Sequence, residues 1–257
     1  MTGFSADWLA LRAGADRRAR DPGLAKRLSE IFSGRDRLRV LDIGSGTGAN
    51  MRATAPLIEA SQHWVLADND ASLLARAEAP AGVTFETRRV DLAADLATLF
   101  DPAPNLVTAS AFFDLCGADW LSAFVTRLAE DRAIFYTVLT YDGRETWLPP
   151  HHLDAAVLDA FHADQRRDKG LGPALGPEAH SALAGLLKEH GFGVFEAQSD
   201  WDLQQPRDAA LISALAEGGG AATAAIVGPE IDGWMAARRD ASAVTIGHRD
   251  LLAVPPR

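Results

Sequence analysis

The clearest fold signal in the sequence is the stretch Leu38-Arg39-Val40-Leu41-Asp42-Ile43-Gly44-Ser45-Gly46-Thr47-Gly48-Ala49. Its first half is a short apolar run of the kind that forms a buried strand, and glycines end that run. The residues that follow have a helical pattern. Glycines at such a junction let the backbone turn sharply and let a ligand approach main-chain N–H groups at the positive end of the helix. The stretch therefore predicts a ligand-binding loop between a strand and a helix.

Strand and helix patterns alternate on either side of this loop. Helical patterns at 49–60, 71–77, 93–100 and 118–129 separate strand patterns at 38–43, 63–67, 83–86, 106–109 and 133–138. This alternation predicts right-handed crossovers and a parallel sheet with helices on both faces. Two late strand patterns, 192–197 and 243–254, lack a simple crossover and are expected to pair antiparallel at one edge. The sequence thus predicts an α/β fold with a seven-stranded, mostly parallel sheet and an antiparallel C-terminal edge.

Composition and charge narrow the classes of partner. The formal net charge of -10 would repel a phosphate backbone, so no nucleic-acid partner is expected. We find no run of about 18 apolar residues and no signal peptide, which predicts a cytoplasmic protein with no membrane partner. The lone cysteine, Cys116, can form neither an internal disulfide nor a thiolate metal cage. A small-molecule substrate is favoured, and the oligomeric state stays open.

The glycine loop alone fits two kinds of cofactor. Gly44 to Ala49 also satisfies the G-x-G-x-x-A form of the dinucleotide fingerprint, and Asp68 lies 24 residues beyond Gly44, where an acid accepts ribose hydroxyls in either case. Asp42 distinguishes between these two kinds of cofactor. Its carboxylate would repel a bound pyrophosphate, whereas it suits a ligand that carries an ammonium and a sulfonium.

At this point the chain resembles the class I S-adenosylmethionine-dependent methyltransferases. The first motif of that family has the form acid-x-Gly-x-Gly-x-Gly, matched here by Asp42, Gly44, Gly46 and Gly48, and the resemblance covers roughly residues 38–140. It implies a Rossmann-like fold, S-adenosylmethionine as cofactor, and O- or N-methylation of a small molecule by in-line displacement. The alternative is a nicotinamide-dependent oxidoreductase on the same loop; a regulatory module that binds the cofactor without turnover is a third hypothesis.

The resemblance also implies which residues bind the cofactor. The loop supplies Asp42, Gly44, Ser45, Gly46 and Gly48; Asp68 and Asn69 hold the ribose; Asp91 and Leu92 border the adenine; and Ser110 lies near the methionine moiety.

The N-terminal segment carries an excess of positive charge. Residues 1–39 hold nine Arg and Lys against five acids. Because Arg offers a planar fork for a carboxylate, we expect Arg12 or Arg20 to contact the methionine carboxylate of the cofactor. The two helices predicted over 5–33, broken at 21–23, then form a lid over the cofactor. The competing interpretation is an amphipathic helix with solvated arginines.

With 257 residues and 47% hydrophobic composition, the chain is predicted to form one domain, 1–257. Its parts are the N-terminal helical lid over 1–36, the cofactor-binding half over 37–139, and a substrate-side insertion with the C-terminal strands over 140–257. The run 218–220 of three glycines predicts a turn between helices.

Candidate catalytic residues follow the fifth strand. We expect Tyr141, His151 or His152 to act as a base or to contact the substrate, although methyl transfer from a sulfonium needs mainly alignment. His162 is predicted to be a solvated histidine on the polar side of a helix.

No metal site is predicted. Asp114 and Asp142 lie broadly where magnesium-dependent catechol methyltransferases keep acidic ligands, but Gly143 replaces the Asn expected there. The run 110–114 also lacks the Asn/Asp-Pro-Pro-Tyr/Phe pattern of enzymes that methylate nucleobases or protein glutamine, which disfavours those substrates.

Overall fold

A computed structural model describes residues 5–256 and has a central eight-stranded sheet. The strands are β1 (Arg37–Ile43), β2 (Ser61–Asp68), β3 (Thr84–Arg89), β4 (Leu106–Ser110), β5 (Ile134–Leu148), β6 (Gly193–Gln198), β7 (Trp201–Gln204) and β8 (Ala243–Val254). Their order is β3-β2-β1-β4-β5-β8-β6, with β7 paired to β8 outside this path. Strands β1 to β5 pair in parallel, and β8 is antiparallel to β5, β6 and β7. The predicted mostly parallel sheet with an antiparallel C-terminal edge is confirmed, and β7 adds an eighth strand.

Helices cover both faces of the sheet, as predicted. They are α1 (Ala6–Ala19), α2 (Pro22–Phe32), α3 (Ala49–Thr54), α4 (Ala71–Leu74), α5 (Leu96–Leu99), α6 (Ala118–Glu130), α7 (Asp154–Gln165), α8 (Ala179–Glu189), α9 (Ala209–Val227) and α10 (Ile231–Arg239). Alternate residues of β1 face opposite sides: Val40 packs in a core with α2, α9 and α10, while Leu41 packs in a core with α6 and α8. The sheet thus has a separate apolar core on each face.

The glycines at 218–220 lie inside α9, so the predicted turn is wrong. Helix formers surround them, and α9 packs along α10. A Cβ at Gly220 would run into Met235 of α10, which shows that this glycine lets the two helices approach closely.

Helix α9 is also long and apolar enough to cross a membrane, judged by length and composition alone. Its mean hydropathy is 1.5, and 28% of it is buried. The expectation that no run of about 18 residues is apolar enough to span a membrane is therefore wrong for α9. Glu217, near its middle, accepts a hydrogen bond from Arg239 of α10 at 3.2 Å.

Strand β5 is much longer than its predicted span of 133–138. It pairs in parallel with β4 only as far as Val138, and it continues as an antiparallel partner of β8 to Leu148, with register shifts on both sides of Tyr141. The first part of the predicted substrate-side insertion over 140–257 is therefore strand. This extension carries Tyr141 and Glu145 beyond the carboxyl edge of the parallel strands.

Candidate functional site

The glycine loop has the backbone conformation that its sequence predicts. Gly44, Gly46 and Gly48 have φ angles of 61°, 52° and 74°, a region that residues with a Cβ rarely adopt. A Cβ at Gly44 would lie 2.5 Å from Cδ2 of Phe112, and one at Gly46 would lie 3.1 Å from Cδ1 of Leu9. At its glycine positions the loop presents only backbone atoms, and the side chains of Phe112 and Leu9 cover two of these positions.

Asp68 links the end of β2 to this loop. Its carboxylate accepts hydrogen bonds from the backbone N–H of Gly46 at 2.8 Å and of Asp70 at 2.9 Å. Asn69 is exposed, and its carbonyl accepts from Arg89 at 3.3 Å. The acid predicted to bind ribose therefore lies beside the glycine loop.

Asp42 is fully buried beneath the loop with half of its carboxyl group unpartnered. Oδ1 accepts from Nδ2 of Asn50 at 2.8 Å, and Oδ2 has no hydrogen-bond partner. Burial raises the pKa of Asp42 to about 7, with the hydrogen bond from Asn50 and the charge of Arg20 acting in the opposite direction. Oγ of Ser45 is likewise buried without a partner. Two polar atoms at this point can therefore bind a further polar group.

The raised pKa of Asp42 predicts a pH dependence of stability. Below about pH 4 the carboxyl is protonated in both the folded and the unfolded chain; as pH rises to about 7, the unfolded chain ionises while the folded chain keeps its proton. The folded state should therefore lose up to about 4 kcal/mol over this window. In Asp42→Asn this loss should disappear. Urea unfolding at about pH 4.5 and about pH 8 measures the free energy of unfolding of both proteins. An equal change between the two pH values in the unaltered protein and in Asp42→Asn would contradict the prediction.

The N-terminal helix α1 lies on the glycine loop through Leu9, as a lid would. Arg12 donates from Nε to Asp16 at 3.0 Å, and its guanidinium lies 4.8 Å from the ring centroid of Trp201. Arg20 donates from Nη1 to Oγ1 of Thr54 at 3.1 Å. These arginines are buried or half-buried, so the solvated interpretation is wrong for both. Their contact with a methionine carboxylate stays a prediction.

The other predicted cofactor residues lie at the ends of β3 and β4. Asp91 is exposed and accepts from the backbone N–H of Ala93 at 3.0 Å. Leu92 is buried, and its carbonyl accepts from Nε1 of Trp120 at 2.7 Å. Ser110 is the last residue of β4 and is half-buried. Their roles toward adenine and methionine stay predictions.

Of the three catalytic candidates, Tyr141 lies in a buried hydrogen-bonded group. Its hydroxyl lies 3.0 Å from Oε1 of Glu145 and 3.0 Å from Nε2 of His162. The interpretation of His162 as solvated is wrong, because the extension of β5 runs alongside α7 and half-buries this ring. Burial lowers the pKa of His162 and raises that of Tyr141. Neither His162 nor Glu145 was predicted to contribute to a site.

His151 and His152 lie apart from this group in the described structure. Their rings stack on each other with centroids 4.4 Å apart. Nδ1 of His151 accepts from the backbone N–H of Leu153 at 3.2 Å, and the backbone N–H of His151 donates to Asp154 at 2.8 Å. Their contacts hold the turn that begins α7. The structure pairs Tyr141 with His162 instead of with either of them.

A row of rings runs from Tyr141 across β8 to β7. The Tyr141 and His248 centroids are 6.2 Å apart, and the His248 and Trp201 centroids are 5.0 Å apart. Nδ1 of His248 lies 3.1 Å from the carbonyl of Ile246. Because a carbonyl only accepts, this nitrogen carries the proton and Nε2 is left as an acceptor. Burial lowers the pKa of His248 to about 3, so the ring stays neutral.

Asp114 follows β4 and belongs to the same region. Its Oδ1 is buried without a partner, and burial raises its pKa to about 6. Its charge in turn raises the pKa of Tyr141.

Within residues 5–256, no group of three or more His, Cys, Asp or Glu side chains could hold a metal ion. Asp142, the second acid at a position where magnesium-dependent catechol methyltransferases keep a ligand, forms ion pairs with Arg144 and Arg249.

Solved structures with this arrangement of strands are found over nearly the full chain. A cyclopropane synthase from Mycobacterium tuberculosis has a TM-score of 0.55 and 14% identity, covering 97% of this chain and 94% of that chain. A cyclopropane-fatty-acyl-phospholipid synthase-like protein from Lactobacillus casei has a TM-score of 0.53 and 16% identity, covering 96% and 94%. A candidate type II methyltransferase from Anaeromyxobacter dehalogenans has a TM-score of 0.50 and 21% identity, covering 91% and 97%. The fold is that of the S-adenosylmethionine-dependent methyltransferases. Neither a family model nor a curated protein sequence matches the chain.

Within this methyltransferase fold, the glycine loop, Asp42 and Asp68 all lie at the carboxyl ends of β1 and β2. Ligands of open α/β sheets gather at that edge. Asp114 follows β4, and the hydroxyl of Tyr141 belongs to the extension of β5 beyond the same edge. The candidate site therefore has a loop side over β1 and β2 and a ring-lined side over β4, β5 and β8.

Proposed function

We propose that this chain is an S-adenosylmethionine-dependent methyltransferase that methylates an oxygen or nitrogen of a small molecule. The observation that carries the proposal is the unpartnered, buried Oδ2 of Asp42 directly below three left-handed glycines. A carboxylate in this place suits an ammonium or sulfonium group and opposes a pyrophosphate. The unpartnered Oγ of Ser45, within the glycine loop, offers a second polar contact.

These residues fit the cofactor that the fold implies. Asp42 and Ser45 would hold its amino-acid end, Asp68 its ribose hydroxyls, and the bare backbone of the glycine loop would permit close approach. When bound, S-adenosylmethionine supplies a methyl group on a sulfonium leaving group. The chain then has to align the acceptor, exclude water and, for a protonated acceptor, take up a proton.

The oxidoreductase alternative is less well supported. The common dinucleotide-binding sheet is open and mostly parallel with strand order 3-2-1-4-5-6. Here the antiparallel β8 lies between β5 and β6, and the buried acid lies below the loop that would hold the pyrophosphate.

For the acceptor side, we propose Tyr141, His162, His248 and Asp114 instead of His151 and His152. The first four lie at or beyond the carboxyl edge, and they include neutral rings and one unpartnered carboxyl oxygen. Two groups there could accept a proton, His162 or an ionised Asp114, whereas burial lowers the pKa of His248 too far for that role. Two of the similar structures are cyclopropane synthase relatives, so an assay for turnover should include lipid acceptors beside phenols and amines.

The role of Asp68 gives the first test of the proposal. Asp68→Ala should weaken binding of S-adenosylhomocysteine, the demethylated cofactor, by about 10- to 100-fold, because charge-assisted bonds to two hydroxyls and the bond that orients Gly46 are lost. Calorimetric titration measures the Kd.

Asp70→Ala is the matched control. The Asp70 side chain caps α4 by accepting from Ser72 at 2.8 Å, and its loss should cost stability without changing the Kd by more than about twofold. An unchanged Kd in a folded Asp68→Ala protein would rule out this site for the cofactor.

A further inference from the structure

Two half-buried acids on the ring-lined side of the site, Asp114 and Glu145, have no cationic hydrogen-bond partner among the described residues. Asp114 has one oxygen with no partner at all. Glu145 accepts only from neutral donors: the hydroxyl of Tyr141 at 3.0 Å and Nε1 of Trp147 at 3.4 Å. Buried carboxylates are normally paired with a cation, because desolvation without compensation is costly. Burial raises the pKa of Glu145 and so favours its neutral form, whereas Asp114 keeps an oxygen with no partner. Asp114 is therefore the group placed to bind a positive charge that the described residues do not supply.

The charged groups around Asp114 are already engaged. Arg12 is the cation whose charge acts on Asp114, yet its guanidinium is bound by both carboxylate oxygens of Asp16 at 3.2 and 3.0 Å. The rings of His162 and His248 stay neutral, because burial lowers the pKa of each. The ring-lined side thus keeps a negative character whenever Asp114 is ionised.

Aromatic faces accompany these carboxyl groups. Tyr141, His248 and Trp201 form a continuous row, and Phe161 packs edge-on against Tyr141 with ring centroids 6.1 Å apart. Electron-rich ring faces attract cations, most strongly where water is excluded, and Trp201 already stacks with the guanidinium of Arg12. Carboxyl groups and aromatic rings together supply the chemistry that binds an ammonium ion.

We propose that the methyl acceptor is a small primary or secondary amine that enters as its ammonium ion and is held by Asp114 beside the row of rings. This inference rests on the proposed methyltransferase function and narrows its acceptor atom to nitrogen. Because α1 covers both Gly46 and Trp201, the acceptor enters when this helix moves away from the loop.

The reaction balances with the groups present. The ammonium gives one proton to ionised Asp114, which frees the nitrogen lone pair. That lone pair forms the N–C bond to the methyl group while the C–S bond breaks and its electron pair goes to sulfur. The products are S-adenosylhomocysteine and the methylated ammonium, with the transferred proton on Asp114 for release to water.

Matched ligands of one shape test the inference. We would titrate the protein with benzylamine, benzyl alcohol and benzoate by calorimetry, with and without S-adenosylhomocysteine. Benzylamine should bind at least about tenfold more tightly than benzyl alcohol, because it alone brings a cation to the unpaired carboxyl group. In Asp114→Asn, which keeps the side-chain shape, this preference should fall to within about twofold.

Asp119→Asn, a change of an exposed acid in the first turn of α6, is the control and should keep the full preference. Equal or tighter binding of benzyl alcohol or benzoate, no binding of benzylamine, or a preference that survives in Asp114→Asn would overturn the inference. If the unaltered protein does not bind S-adenosylhomocysteine, the proposed function itself is wrong. Intact binding of that ligand without an amine preference contradicts only the choice of acceptor.

Discussion

Gly46→Ala is expected to weaken binding of S-adenosylhomocysteine by at least about tenfold while the protein stays folded. The added methyl group would project from the glycine loop to within 3.1 Å of Cδ1 of Leu9, into the space that lies over the loop. Leu9 is the end of a flexible side chain and can shift, so the folded chain tolerates the methyl group. A ligand that packs on bare backbone cannot tolerate it.

The control for this change is Gly34→Ala. Gly34 has a φ of 74°, in the same left-handed region as Gly46, and nothing lies within 4 Å of its added Cβ. Both substitutions therefore carry a backbone cost of about 1–2 kcal/mol, and only Gly46→Ala changes the loop surface. Thermal unfolding compares their stabilities, and calorimetry compares their affinities. Equal Kd values in the two variants would mean that the ligand does not approach Gly46.

Asp250→Ala is expected to lower the free energy of unfolding by about 3–5 kcal/mol. The Asp250 carboxyl is fully buried and accepts from the backbone N–H of Leu139 at 2.8 Å and of Asp21 at 2.9 Å. It thereby joins the junction of α1 and α2 to the point where β5 leaves the parallel sheet. Leu139 has a φ of 59°, so this bond also holds a strained residue.

Asp250→Asn separates the hydrogen bonds from the charge. Burial raises the pKa of Asp250, so a neutral amide resembles the protonated acid and keeps an oxygen for one of the two N–H groups. We expect it to lose at most about half of the effect of Asp250→Ala. Urea unfolding gives both values; a loss below about 1 kcal/mol in Asp250→Ala would show that other groups satisfy Leu139 and Asp21.

Local patterns were sufficient to predict the parallel half of the fold. Strands β1 and β4 are short, mainly apolar and largely buried, and the glycine loop follows β1 directly. Neither feature depends on distant residues. The positions of Asp42, at the end of β1, and of Asp68, at the end of β2, follow from spacing alone. The order of β8 and β6 was predicted only as an antiparallel edge, because single strands do not specify their neighbours.

Features that depend on tertiary contacts were not predicted. The partners of Tyr141 lie 4 and 21 positions along the chain, and His162 reaches it only because β5 continues beside α7. Helix period alone places His162 on the polar side. The pairing of Arg12 with Asp16 follows the helical spacing of four, but its burial against Trp201 depends on β7, 185 positions beyond Asp16.

Two signals for these features were present in the sequence. Buried and exposed residues alternate along Trp201-Asp202-Leu203-Gln204, which is the pattern of a short half-buried strand. Glu145 and Trp147 lie two apart after the Asp142-Gly143 turn signal and point to a strand beyond it. Four-residue strands and bulged strands give weak periodicity, so neither signal outweighs a loop interpretation by itself.

Competitive calorimetric titration of the unaltered protein with S-adenosylhomocysteine and with NADH shows which cofactor the glycine loop binds. A buried carboxyl group beneath the glycine loop should accept the ammonium of the first ligand and repel the pyrophosphate of the second. We predict stoichiometric binding of S-adenosylhomocysteine that is lost in Gly46→Ala, and no measurable binding of NADH. Binding of NADH, with no heat from S-adenosylhomocysteine, would contradict the assignment of this loop to a methyltransferase.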